Sequence, residues 1–226
     1  MKKAWILLYA LMLLGDVIGL LGDIPFLIVF CKPLLMPLLI WGIWQHRKDM
    51  ADTPWPLIII GLLFSWAGDL FLLYEKRNAT FFMFGLISFL LAHVSYIIYY
   101  YRSGASLAIA WRKYKGWLIF TLVYAAGLVW LLYPTLGALR SAVMVYALVL
   151  VSMLTGAIAL IGAVSKISTW FFVIGATAFV ISDSALAINK FYTSFPLAGV
   201  IIIMTYGIAQ WLIATGAILN NRADTV

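Results

Sequence analysis

Apolar runs that are each long enough to cross a lipid bilayer follow one another along almost the whole chain. A membrane-spanning helix needs about 20 mostly apolar residues, and inside lipid only a helix or a closed barrel satisfies its own backbone. We therefore predict an all-α, polytopic transmembrane helical bundle that forms a single integral membrane domain over residues 1–226. Its eight spans are expected at 4–22, 24–45, 56–74, 79–101, 116–133, 138–161, 169–189 and 197–218.

Composition agrees with this class and excludes several others. The chain is 65% hydrophobic and only 10% charged, whereas soluble domains carry about 25% charged residues. Its single cysteine and two histidines exclude a disulfide framework, a multi-thiolate metal site and a His-rich metal centre. The net charge of +7 does not call for a nucleic-acid partner, since basic residues in loops beside membrane spans set orientation.

The distribution of basic residues predicts the orientation. With eight spans, both termini and the loops after the second, fourth and sixth spans share one side. That side holds Lys2, Lys3, Arg47, Lys48, Arg102, Arg112, Lys113, Lys115, Lys166 and Arg222. The opposite side holds Lys76, Arg77, Arg140 and Lys190. The excess places both termini in the cytoplasm, with the protein in the cell (inner) membrane.

The first span has an alternative interpretation. Lys2 and Lys3 precede an apolar run, as in a secretory signal, and Asp16 interrupts that run. No small-x-small cleavage site follows, so a retained first helix is favoured.

Two segments of the chain suggest an internal repeat. GLLFSWAGDLFLL (61–73) aligns with GATAFVISDSALA (175–187) at an offset of 114, which places Asp69 on Asp183. Four spans per half would give two parallel repeats, an arrangement known among membrane folds. Chance similarity between two apolar helices is the alternative.

Ionisable side chains inside the predicted spans are candidates for function. A charge at the membrane centre costs about 2.5–3.5 kcal/mol on insertion scales, and such groups face the bundle interior and find partners. Lys32, Asp69, His93 and Asp183 meet this description. The two aspartates fall late in spans that run outward, and Lys32 enters from the same side, so all three are expected at similar depth. A structural ion pair between Lys32 and one aspartate is the alternative to a functional pocket.

Further polar residues accompany these four groups. The nearby ones are Ser65, Tyr96, Ser182, Ser184, Asn189, Tyr206 and Gln210. The chain contains no G-x-S-x-G elbow, H-E-x-x-H zinc helix or Gly-rich phosphate loop. Two carboxyls remain, and environments that separate their protonation states would assign one as acid and the other as base.

At these residues the chain resembles the lysoplasmalogenase family, also called YhhN-like membrane proteins. The matching segments are CKPLLMPLLI (31–40), GLLFSWAGDLFLL (61–73), FGLISFLLAHVSYIIYY (84–100), GATAFVISDSALAINKF (175–191) and TYGIAQWLIATG (205–216). The resemblance implies an eight-span hydrolase that cleaves the vinyl-ether bond of lysoplasmalogens. The products would be a fatty aldehyde and glycerophosphoethanolamine or glycerophosphocholine, formed without a metal or organic cofactor.

The resemblance also implies residue roles. The family's paired aspartates fall on Asp69 and Asp183, the expected acid/base pair, and Lys32, His93 and Gln210 occupy other recurrent polar positions. Lys32 would tune one aspartate or meet the phosphate. The other supporting or substrate-binding candidates are Tyr96, Ser182, Ser184, Asn189 and Tyr206.

Two geometric expectations follow. If water fits between the carboxyls, their separation should be roughly 6.5–9.5 Å, as in inverting glycosidases. The substrate's tail would slide among the helices while its glycerophosphate stays near the interface. Phenylalanines 64, 71, 89 and 179 are candidates for the tail slot, with ordinary helix packing as the alternative.

Two other classes of function stay open. Duplicated halves and intramembrane acids also suit a proton-coupled transporter of small solutes or lipids. A non-catalytic scaffold or lipid-binding protein is the third possibility. The expected partners are a lysophospholipid substrate and the bilayer, and the sequence does not define an oligomeric state.

Overall fold

The computed structural model describes residues 4–75 and 77–220. Within these ranges it contains eight α-helices and no strand, and each helix is long and apolar enough to cross a membrane. In chain order they are α1 Ala4–Leu21, α2 Pro25–His46, α3 Pro56–Leu73, α4 Ala79–Arg102, α5 Leu107–Leu132, α6 Arg140–Ala159, α7 Lys166–Ala187 and α8 Ala198–Ile218. The predicted all-α polytopic bundle is confirmed. Of the bases used for orientation, Lys2, Lys3, Lys76 and Arg222 lie outside the described residues, and the orientation stays a prediction.

Two helices begin earlier than hydropathy predicts. α5 begins at Leu107 rather than 116, and non-helical backbone angles at Tyr114 (φ −129°, ψ 26°) kink it where the apolar run begins. α7 begins at Lys166 rather than 169, because the Ser165 side chain accepts a hydrogen bond from the Ser168 backbone N–H and caps the helix. Helical structure therefore continues into polar sequence at both positions.

The helices pack as antiparallel neighbours around a shared core. α1 pairs with α2, α3 with α4, and α7 with α8, while α6 packs between α4 and α5. Large side chains such as Tyr96, Phe172 and Phe179 are fully buried at the centre. α7 passes directly into a π-helical turn, Ile188–Tyr192, a distortion often found at functional sites.

The helix boundaries repeat at the offset that the two aspartates suggested. A shift of 114 residues moves α2 onto 139–160, within one residue of α6 at each end. The same shift moves α3 onto 170–187 and α4 onto 193–216, close to α7 and α8, and α1 onto the part of α5 that follows its kink. The boundaries of the described helices therefore agree with two four-helix halves, and the duplication stays a prediction.

Candidate active site

The two aspartates occupy equivalent positions near the ends of α3 and α7. Each lies four residues before the last residue of its helix, at Leu73 and Ala187. The Asp69 side chain is 2% exposed and that of Asp183 is 10% exposed. Two carboxyls are therefore held inside the bundle in corresponding places of the two halves.

Asp69 is held by residues of α2 and α8. Tyr206 donates its hydroxyl hydrogen to Asp69 Oδ2 at 2.7 Å, and Lys32 Nζ lies 3.9 Å from Asp69 Oδ1. Both carboxylate oxygens thus face a donor or a cation. This is the arrangement that stabilises a buried acid in its ionised form.

Prolines in α2 help to place Lys32 beside α3. Pro37 has no N–H, so the carbonyl of Pro33, four residues earlier, loses its helical hydrogen bond. Trp66 on α3 donates its indole N–H to that carbonyl at 2.8 Å. The hydrogen bond fixes α3 against α2 beside Lys32, and Asp69 lies on the same face of α3, three residues after Trp66.

A third carboxyl, which the sequence analysis treated only as an interruption of the first span, lies in the same region. Asp16 is 1% exposed, and neither of its carboxyl oxygens has a hydrogen-bond partner among the described residues. Lys32 and Asp69 both lie within electrostatic reach of Asp16. At this first acid site, Lys32 is therefore accompanied by two buried carboxyls, Asp16 and Asp69.

Asp183 has a different set of partners, from α6 and α4. Tyr146 donates its hydroxyl hydrogen to Asp183 Oδ2 at 2.6 Å, and His93 Nε2 lies 3.5 Å from the same oxygen. His93 Nδ1 contacts the carbonyl of Phe89, and it must donate because a carbonyl only accepts. In the neutral ring Nε2 is then an unprotonated acceptor. It has no hydrogen-bond partner among the described residues, and the Asp183 carboxyl at 3.5 Å is the acidic group beside it.

The two acid sites use corresponding positions of the two predicted halves but different side chains. Adding 114 to Lys32 gives Tyr146, so each aspartate meets the same position of the second helix in its own half. Each also meets the fourth helix of the other half, through Tyr206 on α8 or His93 on α4. Sequence reasoning missed Tyr146, although the repeat offset applied to Lys32 would have found it.

Tyr96 and Gln210 join the two halves between these sites. Tyr96 donates its hydroxyl hydrogen to Gln210 Oε1 at 2.7 Å, and Gln210 Nε2 donates to Ser65 Oγ at 2.8 Å. Tyr96 and Gln210 are themselves 114 residues apart. They are equivalent residues of the two halves in direct contact, and neither makes a hydrogen bond to Asp69 or Asp183 within the described part of the chain.

Aromatic rings separate the two carboxyl sites. Phe179 contacts Tyr206 with ring centroids 5.5 Å apart and His93 at 4.5 Å. Phe89 also packs edge-on against Tyr206 at 5.7 Å. Each carboxyl consequently has its own set of hydrogen-bonding partners, and the separation expected between the carboxyls stays a prediction.

The remaining candidates mostly make structural hydrogen bonds. Ser182 donates to the carbonyl of Ile202 at 3.0 Å, and the Asn189 side-chain oxygen accepts from the Phe195 backbone N–H at 3.4 Å. Ser184 donates to its own helix at Val180 and accepts from the Tyr124 hydroxyl at 2.9 Å. Of these three candidates, Ser184 alone lines the cavity described next.

An apolar cavity opens beside Asp183. The cavity volume is ≈ 50 Å³, and α3 to α7 all contribute to the wall. Its polar lining residues are Tyr146, Asp183 and Ser184. The apolar lining residues are Leu72, Phe82, Leu86, Phe89, Leu128, Val129, Leu132, Val143, Ala147, Leu150, Leu186, Ala187 and Phe191. Asp183 therefore lines an apolar cavity, and Asp69 does not line it.

The phenylalanines expected to form a tail slot have different surroundings. Phe89 lines the cavity. Phe71 instead packs against the rings of Phe81 and Phe84, and Phe179 is buried between the acid sites. Phe64 is likewise not a lining residue.

Within residues 4–75 and 77–220, no group of three or more His, Cys, Asp or Glu side chains is placed to hold a metal ion. The chemistry available at this site is that of carboxyl, imidazole and phenol groups. These groups can exchange protons and stabilise a neighbouring cation.

Eight apolar helices around paired carboxyl sites define a polytopic membrane protein with an acidic centre inside its bundle. The chain belongs to the YhhN family, whose family model matches residues 27–217. It is 34% identical over 171 residues to human lysoplasmalogenase TMEM86A, which covers 73% of this chain and 66% of the relative. It is 31% identical over 170 residues to bovine lysoplasmalogenase TMEM86A, with the same coverage of both chains. The chain thus spans just under two thirds of the length of these relatives, and no solved structure was found to match it.

Proposed function

We propose that this protein is a lysoplasmalogenase, a membrane hydrolase that cleaves the vinyl-ether bond of lysoplasmalogens. The observation that carries the proposal is Asp183, which lies 3.5 Å from His93 Nε2 at the wall of a mostly apolar cavity. The names of the human and bovine relatives support the choice of substrate. The apolar chain of an ether lipid suits a cavity wall that is apolar except for Tyr146, Asp183 and Ser184.

The chemistry of vinyl ethers matches this site. They hydrolyse when an acid protonates the β-carbon, which turns the α-carbon and its oxygen into an oxocarbenium ion. Water adds to the α-carbon and loses a proton, and the resulting hemiacetal collapses to an aldehyde and the free glycerol hydroxyl. Asp183, with His93, would donate the first proton and recover one from water, so the pair ends as it began.

The other residues would support this step without touching the reacting carbons. Tyr146 donates to Asp183 Oδ2, and Asp183 lines the cavity with no hydrogen bond to its Oδ1 within the described residues. Asp69 lies with Lys32 on the other side of the Phe179 and Tyr206 rings, so we assign it a supporting role: it holds Tyr206 and Lys32 in place. Lysoplasmalogen hydrolysis would thus use one working carboxyl and one supporting carboxyl.

The test measures aldehyde release from lysoplasmalogen by purified protein in lipid nanodiscs. Asp183→Asn should lower the rate by about 10²–10⁴-fold, the range for losing a general acid. Asp69→Asn should lower it less, because Asn keeps a hydrogen-bond acceptor for Tyr206. The matched control is Asp23→Asn, an exposed aspartate in the loop between α1 and α2, which should leave the rate unchanged.

Isotopes distinguish the bonds that break. In D₂O the aldehyde should carry one deuterium at C2, from protonation of the β-carbon, and in H₂¹⁸O the label should enter the aldehyde oxygen. Label in the glycerol product would contradict the mechanism. A larger loss in Asp69→Asn than in Asp183→Asn would favour two directly acting carboxyls.

A carrier is the alternative that this experiment also tests. Wild-type protein that releases no aldehyde but moves protons or solutes across liposomes would replace the hydrolase with a proton-coupled transporter. Aldehyde release that persists in both aspartate variants would end the acid assignment.

A further inference from the structure

We propose that Lys190 binds the phosphate of the lysophospholipid substrate at the mouth of the cavity. This inference rests on the proposed function and deepens it by naming a headgroup subsite. From the sequence, Lys190 is predicted only to be one of the basic residues of a loop. The structure gives it a defined place relative to Asp183.

Lys190 contacts the ring of Phe82, an aromatic residue that lines the cavity. Its Nζ lies 4.7 Å from the ring centroid of Phe82, and Phe82 packs edge-on against Phe191 with centroids 5.7 Å apart. Both rings line the cavity that contains Asp183. A cation therefore lies beside two aromatic residues of the wall that also contains Asp183.

The spacing along the chain suits a glycerophosphate. Lys190 follows Asp183 by seven residues, about 10 Å along a helix that rises ~1.5 Å per residue. The lysine side chain can reach part of the way back. In the substrate, the glycerol carbons and one ester oxygen separate the vinyl-ether oxygen from the phosphorus, so both ends can be held together.

A π-helical turn presents Lys190 in this position. The turn comprises Ile188–Tyr192 and follows α7 without a break. Within it, Phe191 contributes to the cavity wall while Lys190 is 38% exposed. The segment thus supplies an apolar wall and a basic residue from adjacent positions.

The present partner of Lys190 is replaceable. Lys190 Nζ lies 3.1 Å from Glu75 Oε2, and both side chains are partly exposed. Exposed ion pairs of this kind are weak. A phosphate that arrives with the lipid can take the place of the Glu75 carboxylate and make charge-assisted hydrogen bonds to the ammonium group.

The experiment compares two substrates that differ in the phosphate: lysoplasmalogen and the neutral 1-O-alkenylglycerol. Lys190→Gln should raise KM for lysoplasmalogen about tenfold, the effect of one charge-assisted hydrogen bond, and should leave KM for the neutral lipid unchanged. Lys190→Arg should retain the wild-type preference. Glu75→Gln should lower KM for lysoplasmalogen only, because it removes the competing anion.

The matched control is Arg77→Gln, which removes the same charge from the connection between α3 and α4, the connection that also contains Glu75. The Arg77 guanidinium stacks over Tyr74 at 5.0 Å, and neither residue lines the cavity. Arg77→Gln should therefore leave KM for both lipids unchanged. An equal effect of Arg77→Gln and Lys190→Gln would reduce the result to general surface charge and overturn the proposal.

A second measurement separates this proposal from the proposed function. The non-hydrolysable alkyl-ether lysophospholipid should bind Lys190→Gln about tenfold more weakly than wild type, with no difference for alkylglycerol. If wild type binds the alkyl-ether lysophospholipid about tenfold more tightly than Lys190→Gln does but hydrolyses neither vinyl ether, the subsite proposal stands and the hydrolase proposal is rejected. Equal binding by wild type and Lys190→Gln would reject the subsite even in an active enzyme.

Discussion

At the scale of single residues, the first acid site holds one cation among two carboxyls. Lys32 is paired with Asp69, and Asp16 lies nearby without a hydrogen-bond partner in the described residues. A buried charge that lacks a partner is costly. Removing one member of a buried ion pair is destabilising because it leaves such a charge behind. Asp16 is therefore the surplus group and Lys32 the indispensable one.

We predict opposite effects of two substitutions on thermal unfolding. Asp16→Asn should leave the apparent midpoint unchanged or raise it, because it leaves Lys32 and Asp69 as a neutral pair. Lys32→Met should destabilise the protein by about 3 kcal/mol, since two buried carboxyls then lack a cation. A clear fall in the midpoint of Asp16→Asn would show instead that Asp16 has a stabilising role. The measurement is a thermal melt of each variant in the same detergent.

Sequence reasoning found the residues whose charge is conspicuous in an apolar span. Lys32, Asp69, His93 and Asp183 stand out because each would be costly in lipid without a partner. Tyr146 does not, since a tyrosine in a span resembles ordinary helix packing until its hydroxyl is seen at Asp183. Which side chains contact Asp69 and which contact Asp183 depends on which helices become neighbours. No local sequence pattern predicts those neighbours.

At the scale of secondary-structure elements, the contact between α2 and α3 compensates a defect in α2. Pro37 removes the helical partner of the Pro33 carbonyl, and the Trp66 indole supplies a substitute. A carbonyl inside a membrane has no water to replace a lost partner. The proline that weakens α2 thereby creates a specific attachment point for α3.

We expect a double-mutant cycle to show this compensation. Trp66→Phe should lower the free energy of unfolding by about 1–3 kcal/mol by leaving the Pro33 carbonyl unsatisfied. In a Pro37→Ala background the residue 37 N–H can bond that carbonyl again, so Trp66→Phe should cost less. Denaturant unfolding of the four proteins gives the coupling energy. Equal costs of Trp66→Phe in both backgrounds would contradict the account.

Hydropathy predicted the existence and order of all eight helices and many of their ends. It missed the early starts of α5 and α7, because a helix can continue beyond the lipid into polar sequence such as WRKYK (111–115). It also missed the π-helical turn after α7. The sum of side-chain hydropathies contains no information on whether backbone hydrogen bonds run to the fourth or the fifth residue.

At the scale of the whole molecule, neither half completes its own acid site. Asp69 accepts a hydrogen bond from Tyr206 of the second half, and Asp183 lies beside His93 of the first half. Tyr96 and Gln210 add a direct hydrogen bond between the halves. Two similar segments were enough to suggest the duplication from sequence, but this exchange of partners between halves required the packed structure.

We predict that the chain can be divided at its midpoint and still assemble. Residues 1–104 and 105–226, co-expressed as separate chains, should insert and co-purify through a tag on one of them, since helices that are stable alone associate within the membrane. Gln210→Leu should reduce recovery of the untagged half, because Tyr96 and Ser65 lose their partner. Thr177→Val, at an exposed position of α7, is the control. Halves that both insert but never co-purify would contradict the prediction.

The contact between Tyr96 and Gln210 has an evolutionary consequence. A residue that touches its own counterpart lies near the axis that relates the two halves, so the same side chain in two copies of a four-helix chain would meet across a homodimer interface. In such a symmetric pair every substitution appears at both sites. In a single chain the two sites can change independently, and here Lys32 beside Asp69 corresponds to Tyr146 beside Asp183.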